Sequence, residues 1–114
     1  MKSDSPYIAQ ILENVSKIRI FIGAMPFDEF AKDELRQSAI LMQLMQIGEM
    51  AKRVSEKAAD EIQIPWSQIK GLRNRIVHEY YDIDIPNVWK IIAEELPKIE
   101  QPLADYIKKN PLKE

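Results

Sequence analysis

The residue types best suited to chemistry are concentrated in residues 71–81 of the chain. This stretch contains the single histidine of the sequence, His78. It also contains two arginines, an asparagine and two tyrosines, namely Arg73, Asn74, Arg75, Tyr80 and Tyr81. Histidine titrates near neutral pH and can transfer protons, while arginine stays charged and binds phosphate oxygens through a planar fork. This combination favours proton-transfer chemistry at a phosphate ester.

The spacing of apolar residues predicts that the stretch is one helix. Apolar side chains recur every three or four residues, at Ile69, Leu72, Ile76 and Tyr80. In such a helix Asn74 and His78 lie on one face, whereas Arg73 aligns with Tyr80 on a face about 140° away from His78. We therefore expect Arg73 and His78 to meet most easily at an interface between two copies of the chain.

Several of these side chains also suit ordinary structural roles. A lone helix histidine without such neighbours is most often a residue with no chemical role. Arg75 lies on a different side of the predicted helix from Arg73 and suits a salt bridge, although it could also contact a substrate. Tyr80 suits a core aromatic with its hydroxyl at the rim. Glu79 and Asp82 could share a cation, but without a second histidine or a cysteine in the sequence we expect no metal site.

The order of the polar residues resembles a known motif. Arg73, His78 and Tyr80 are spaced as Arg-x4-His-x-Tyr, the motif of HepT-like toxins in the HEPN superfamily. The residue after the arginine is often polar in that motif, as Asn74 is here. The resemblance extends over most of the chain, and its clearest flanking segments are residues 47–53, 88–92 and 96–97.

The resemblance implies the toxin of a type VII, HepT/MntA-like toxin–antitoxin system. Such a toxin is a metal-independent endoribonuclease in which a 2′-hydroxyl attacks the adjacent phosphate, leaving a cyclic phosphate and a free 5′-hydroxyl. Arg73 and His78 are then the catalytic residues, binding phosphate and transferring a proton, while Asn74 and Arg75 support substrate binding. No cofactor or metal is expected.

The resemblance also implies two protein partners. One is a second copy of the chain, since HEPN sites are composite and one histidine cannot accept and donate a proton in the same step. The second His78, Tyr80 or water would take the other role. The other partner is an MntA-like minimal nucleotidyltransferase antitoxin, which would adenylylate Tyr80 and so block the site and repel RNA. Tyr81 is the neighbouring hydroxyl and stays open as an alternative.

Length and composition indicate a single globular domain spanning residues 1–114. The sequence is 46% apolar and 30% charged and has no cysteine, which excludes disulfides, zinc fingers and thiol catalysis. We expect no signal peptide in the first residues, and no apolar run is long enough to cross a bilayer. A cytoplasmic protein without membrane contact is expected.

Charge gives a weaker indication of the ligand. The net charge of −2 argues against a general nucleic-acid coat. Between residues 52 and 75, however, basic side chains outnumber acidic ones, and this window ends at the motif. It could guide a phosphate-bearing ligand, although a solvated helix surface has the same composition.

The rest of the sequence predicts an all-α, HEPN-like bundle of four to five helices. Helix one starts near Ser5, as N-cap, and ends at Gly23, and a single turn follows in residues 27–31. Helix two is expected in residues 33–57, followed by a loop to residue 64. Helix three carries the motif, and helix four starts after an Asp84 N-cap with Pro86 in its first turn. Pro97 should kink helix four, and a further helix is expected from Pro102 to Lys109.

The middle of helix two predicts a dimer face. Its apolar residues cover more than one side, whereas a surface helix of a monomer needs one apolar stripe. We expect the second side to pack against another chain, with adaptable methionines at Met25, Met42, Met45 and Met50. Gly48 interrupts this helix at a cost of about 1 kcal/mol relative to alanine, which indicates a close helix contact.

Two other functions remain open at this point. The same fold could be a non-catalytic module that binds a nucleotide or a nucleotidyltransferase, with the motif holding a ligand. It could also be a dimerising helical scaffold that binds neither RNA nor nucleotide. The intact motif favours the enzyme.

Overall fold

A computed structural model describes residues 3–112 of the chain. Within this range the backbone is helical, apart from turns and a single antiparallel bridge between Val77 and Ile83. The elements are α1 Ser5–Ile22, α2 Phe27–Phe30, α3 Glu34–Arg53, α4 Glu56–Glu61, α5 Trp66–Lys70, α6 Leu72–Ile76, a 3-10 turn Glu79–Tyr81, α7 Ile85–Lys90, a π-helical turn Ile91–Glu95 and α8 Leu96–Lys109. The all-α prediction is confirmed.

Helix α1 follows the prediction closely except at its first residue. Its apolar stripe is buried at Ile8, Ile11, Val15 and Ile18. Gly23 ends the helix at a φ of 53°, a backbone conformation that glycine adopts at little cost. The N-cap position is occupied by Asp4, so the prediction of Ser5 as N-cap is wrong. The buried Ser5 hydroxyl donates instead to the main-chain oxygen of Asn110 at 2.5 Å, tying the start of α1 to the end of α8.

Helix α3 begins as predicted and ends earlier than predicted. The Asp33 carboxylate accepts a hydrogen bond from the Arg36 N–H at 2.9 Å and caps its start. The helix stops at Arg53 because Val54 is extended and Ser55 caps a new short helix, α4, by accepting from the Ala58 N–H at 3.2 Å. The predicted continuation to residue 57 and the loop after it are therefore wrong.

Helices α1 and α3 pack along one another with amides inside the contact. Asn14 of α1 is fully buried, and its amide donates to Gln43 at 2.7 Å and to Gln46 at 2.8 Å on α3. Buried polar groups of this kind must be satisfied, so the network favours one alignment of the two helices. The most deeply buried apolar side chains of the core include Ile8, Ile11, Ile18, Phe30, Ile40, Leu44, Ile47, Ile76, Ile91 and Leu103.

Gly48 lies at a close approach between α3 and the segment carrying the motif. A Cβ at this position would lie 3.3 Å from the main-chain oxygen of Ile69 and 3.5 Å from that of Lys70. Gly48 therefore lets α5, which leads into the motif, pack directly on the backbone of α3. The predicted close helix contact is present, and it is made within one chain.

Helix α8 contains both Pro97 and Pro102. Pro97 lies in the first turn of α8, directly after the π-helical turn Ile91–Glu95, where its missing N–H requires no helical partner. Pro102 lies inside α8, which continues to Lys109. The predicted break at Pro102 is therefore wrong, and the change of helical geometry lies upstream of Pro97.

The second apolar side of α3 is partly covered by the chain itself. Met50, and Met25 in the segment before α2, pack against the core. Met42 is 56% exposed and Leu35 is 83% exposed. The exposed apolar surface of α3 is thus smaller than the sequence predicts, and the dimer face stays a prediction. None of the helices described is long and apolar enough to span a membrane.

Candidate functional site

The structure divides the motif between a helix and a loop. The predicted continuous helix is interrupted at Gly71 and ends at Ile76. Arg73, Asn74 and Arg75 lie on α6, whereas His78 lies in extended backbone beyond it, with φ of −97° and ψ of −165°. The predicted alignments of Asn74 with His78 and of Arg73 with Tyr80 are therefore wrong. The 140° separation that suggested a two-chain site no longer applies.

Main-chain hydrogen bonds close residues 77–83 into a tight loop, here called the motif loop. The Val77–Ile83 bridge joins its two ends. The N–H of His78 donates to the oxygen of Asp82 at 2.6 Å, and the N–H of Asp84 donates to the oxygen of Ile76 at 2.9 Å. These main-chain hydrogen bonds satisfy backbone groups beyond Ile76 that would otherwise need partners in a continued helix. The helix can therefore end at Ile76.

Two tyrosines in this loop occupy the left-handed backbone region. Tyr80 has a φ of 56° and Tyr81 a φ of 66°. This conformation costs non-glycine residues of order 1 kcal/mol each, and the surrounding loop bonds must offset it. The turn leaves Tyr80 96% exposed. The interpretation of Tyr80 as a core aromatic is therefore wrong, and its side chain faces solvent.

Arg73 is held over the motif loop by an aromatic contact. Its guanidinium carbon lies 5.8 Å from the centroid of the Tyr81 ring, within cation–π range. Both side chains face solvent, and Tyr81 is 76% exposed. This contact leaves the hydrogen-bonding edges of the guanidinium available for an anion. Asn74, the next residue on α6, is also exposed.

Arg75 points to a different partner. Its two terminal nitrogens each donate to one oxygen of Glu95 at 2.8 Å, a bidentate pair that ties α6 to the π-helical turn. The hydrogen bond and charge of Glu95 raise the pKa of Arg75, and the same hydrogen bond lowers the pKa of Glu95. The salt bridge that the sequence suggested for Arg75 is thus present. A supporting role of Arg75 in substrate binding stays a prediction.

His78 has a carboxylate partner that the sequence analysis missed. Its Nε2 lies 3.1 Å from Oδ2 of Asp84, while Oδ1 of the same carboxylate accepts the Asn87 N–H at 3.1 Å and caps α7. The hydrogen bond with His78, followed by that from Asn87, lowers the pKa of Asp84. The sequence identified Asp84 as an N-cap only. Its contact with His78 depends on the fold of the motif loop, which helical spacing could not reveal.

The basic window before the motif is partly neutralised by its neighbours. Lys52 pairs with Glu49 at 3.3 Å, and Arg75 pairs with Glu95. Arg53 and Lys57 line a surface cavity of about 530 Å³ together with acidic Asp4. Residues 3–112 contain no group of three or more histidine, aspartate or glutamate side chains arranged to hold a metal ion.

Comparison with known proteins identifies relatives over almost the full chain. Residues 11–105 match the family model described as "Ribonuclease HepT-like". A Caldanaerobacter subterraneus protein named "Putative RNase TTE0752" is 27% identical over 96% of this chain and 98% of its own. A Methanocaldococcus jannaschii protein named "Putative RNase MJ0127" is 33% identical, covering 90% of this chain and 85% of its own. A Thermococcus cleftensis protein named "Probable ribonuclease HepT" is 27% identical, covering 87% and 91%. No solved structure matches the chain.

Proposed function

Because the chain belongs to the HepT-like ribonuclease family, we propose that it is an endoribonuclease that cleaves RNA without a metal ion. The 2′-hydroxyl of one nucleotide attacks the adjacent phosphate, the bond to the 5′-oxygen breaks, and a cyclic phosphate and a 5′-hydroxyl result. The observation that carries this proposal is that Arg73 and His78 are both exposed and both tied to the motif loop. Arg73 contacts Tyr81, and His78 contacts Asp84 directly after the loop.

The two side chains supply complementary parts of the reaction. Arg73 binds the phosphate and stabilises the charge that develops on its oxygens. His78 transfers a proton, because an imidazole nitrogen can accept or donate one. Asn74, exposed beside Arg73, hydrogen-bonds phosphate or sugar, while Arg75 supports the site through its pair with Glu95. This division needs no metal ion.

The second proton role calls for another group, and we assign it to a second copy of the chain. A homodimer brings two His78 imidazoles, so that one accepts a proton while the other donates. Exposed apolar side chains provide surface for such an assembly, chiefly Ile20, Leu35 and Met42. Sedimentation of the wild type and of Leu35→Glu tests this assignment. A monomeric wild type that cleaves RNA would contradict it.

Tyr80 is the proposed point of control by a nucleotidyltransferase antitoxin. Its side chain is almost fully exposed, as a modified residue must be, whereas Tyr81 stacks under Arg73. An AMP group on Tyr80 adds bulk and negative charge beside the motif and repels RNA. The protein would then be the toxin of a HepT/MntA-like toxin–antitoxin pair.

The activity is tested with purified protein, Arg73→Ala, His78→Ala and the matched control Arg53→Ala, incubated with total RNA. We expect the first two substitutions to reduce cleavage about 100-fold or more and the control to change it little. Retained cleavage in His78→Ala would contradict the proposal. Absence of cleavage by every protein, together with tight binding of a nucleotide or a nucleotidyltransferase, would instead favour a non-catalytic module.

The control point is tested by co-expressing the chain with a minimal nucleotidyltransferase and measuring its mass. Tyr81→Phe should still gain AMP and Tyr80→Phe should not. Modification of Tyr80→Phe but not of Tyr81→Phe would move the site to Tyr81.

A further inference from the structure

We propose that Asp84 is a positioning residue that holds the His78 imidazole with its proton on Nε2, leaving Nδ1 to exchange protons with RNA. This inference rests on the proposed function, since it names the ring nitrogen that performs the proposed proton transfer. Asp84 does not touch substrate in this account. It acts through His78.

The position of Asp84 is fixed from three directions. Its main-chain N–H donates to Ile76 at the end of α6, at 2.9 Å. Its Oδ1 accepts the Asn87 N–H in the first turn of α7, at 3.1 Å. The remaining oxygen, Oδ2, lies 3.1 Å from Nε2 of His78. The carboxylate therefore belongs to the junction of two helices, and it anchors a histidine that is otherwise in an exposed loop.

The chemistry of the two groups determines the tautomer. An ionised carboxylate only accepts hydrogen bonds, and contacts with His78 and Asn87 favour the ionised form of Asp84. Nε2 of His78 must then be the donor. In a neutral ring with its proton on Nε2, the lone pair lies on Nδ1.

The proton transfer then balances as follows. Nδ1 accepts the proton of the 2′-hydroxyl as the bond from that oxygen to phosphorus forms. The bond from phosphorus to the 5′-oxygen breaks, and this oxygen receives its proton from the second His78 of the dimer. The ring that accepted the proton is left as an imidazolium, which the Asp84 carboxylate stabilises.

Other charged groups near the ring have different contacts. Asp82 contacts His78 through its main-chain oxygen, and Arg73 lies over the Tyr81 ring. Glu79 is exposed in the same loop. Asp84 is thus the acidic residue whose side chain meets the imidazole, and Asp82 serves as a matched control with the same charge two residues away.

The tautomer is directly measurable because the chain has a single histidine. Two-bond ¹⁵N–¹H spectra of labelled protein report which ring nitrogen carries the proton in the neutral form. The wild type and Asp82→Ser should show Nε2–H. Asp84→Ser, in which serine can still cap α7, should gain a measurable Nδ1–H population. Nδ1–H in the wild type, or identical ring spectra in Asp84→Ser and the wild type, would overturn the inference.

Cleavage kinetics separate this inference from the proposed function. Asp84→Ser should lower kcat about five- to tenfold with little change in KM, consistent with loss of one exposed charge-assisted contact. Asp82→Ser should retain wild-type kinetics. Cleavage unaffected by Asp84→Ser would overturn the inference alone. The expected spectra without any RNA cleavage would leave Asp84 as the positioning residue of His78 and remove the ribonuclease proposal.

Discussion

The two halves of the motif are held by different means. The α6 half, with Arg73 and Arg75, directly follows α5, whose backbone contacts α3 at Gly48, and it is tied to the π-helical turn by the Arg75–Glu95 pair. The loop half, with His78 and Tyr80, contains no buried side chain among residues 78–82 and is closed by main-chain bonds. The phosphate-binding group is therefore expected to be rigidly placed, while the proton-transfer and modification groups occupy an accessible loop.

The residues of the α6 half and those of the loop half are therefore held in place by different kinds of interaction. Burial fixes where α6 lies, so substitutions there should affect stability as well as activity. Exposure of the motif loop lets an enzyme partner reach Tyr80, but it also means that His78 depends on polar contacts for its orientation. Asp84 and Tyr81 connect the halves, through His78 and Arg73 respectively.

The largest expected effect on the helix half comes from filling the space at Gly48. Gly48→Leu places a side chain against the main-chain oxygens of Ile69 and Lys70, the nearer of which would lie 3.3 Å from its Cβ. We expect the free energy of unfolding to fall by about 2 kcal/mol, because a backbone contact cannot rotate away. Chemical denaturation measures this change.

Gly71→Ala is the matched control for that substitution. Its Cβ would meet the nearest main-chain oxygen, that of Ser67, at an ordinary 3.5 Å. Stability equal to or slightly above that of the wild type is expected, because the Gly71 φ of −91° is accessible to alanine, which also has fewer conformations than glycine in the unfolded chain. Equal losses in the two variants would show that the close approach of α5 to α3 does not depend specifically on Gly48.

A smaller effect is expected from removing the Arg75–Glu95 pair. Glu95→Gln should lower the free energy of unfolding by about 1 kcal/mol near neutral pH, since the pair is bidentate but partly exposed. Pairing lowers the pKa of Glu95 below its ordinary value of 4.5, so the folded state holds this carboxylate in its charged form. The stabilisation is therefore present above that value and is lost as the pH falls through the folded pKa.

The measurement is denaturation of the wild type and Glu95→Gln from neutral pH down to about pH 3. The stability gap should close as the pH falls. Glu94→Gln, next to it and exposed, provides the control. A gap that stays constant across this range would mean that the carboxylate charge does not account for the stabilisation.

The smallest expected effect concerns the link between Arg73 and the motif loop. Tyr81→Leu removes the ring face beneath the guanidinium, and an exposed cation–π contact is worth about 0.5–1 kcal/mol. We expect RNA binding by Tyr81→Leu to weaken about two- to fivefold. Tyr81→Phe retains the ring and should bind more tightly than Tyr81→Leu. Equal affinities in these two variants would indicate that the contact with the Tyr81 ring does not position Arg73 to bind phosphate.

Much of the fold was predictable from the sequence because helix patterns are local. The stripe of α1, the Gly23 terminus, the start of α3 at about Asp33 and the Asp84 cap depend on residues a few positions apart, and the structure confirms them. The break at Ser55 was missed because the competing contacts include Asp4, which is distant in sequence. Tertiary contacts of this kind override local propensity.

The geometry of the candidate site also depends on tertiary contacts, and it was less predictable from the sequence than the fold was. Its residues were identifiable by type and spacing, but their geometry was not. Apolar periodicity continued through Tyr80, so the sequence predicted a helix where Val77 and Ile83 instead form a bridge. The contact of His78 with Asp84 follows from that bridge. It could not be predicted while the motif was treated as one helix.

The central claim is that Arg73 and His78 form a metal-free site for attack by the RNA 2′-hydroxyl. The most direct measurement uses a short RNA and the same oligonucleotide with a single 2′-deoxy sugar at the cleaved position, both incubated with the protein in EDTA. We predict that the wild type cleaves only the all-RNA strand and leaves cyclic phosphate and 5′-hydroxyl ends. His78→Ala should produce neither end. Cleavage of the deoxy-substituted strand, or activity that EDTA abolishes, would contradict the account.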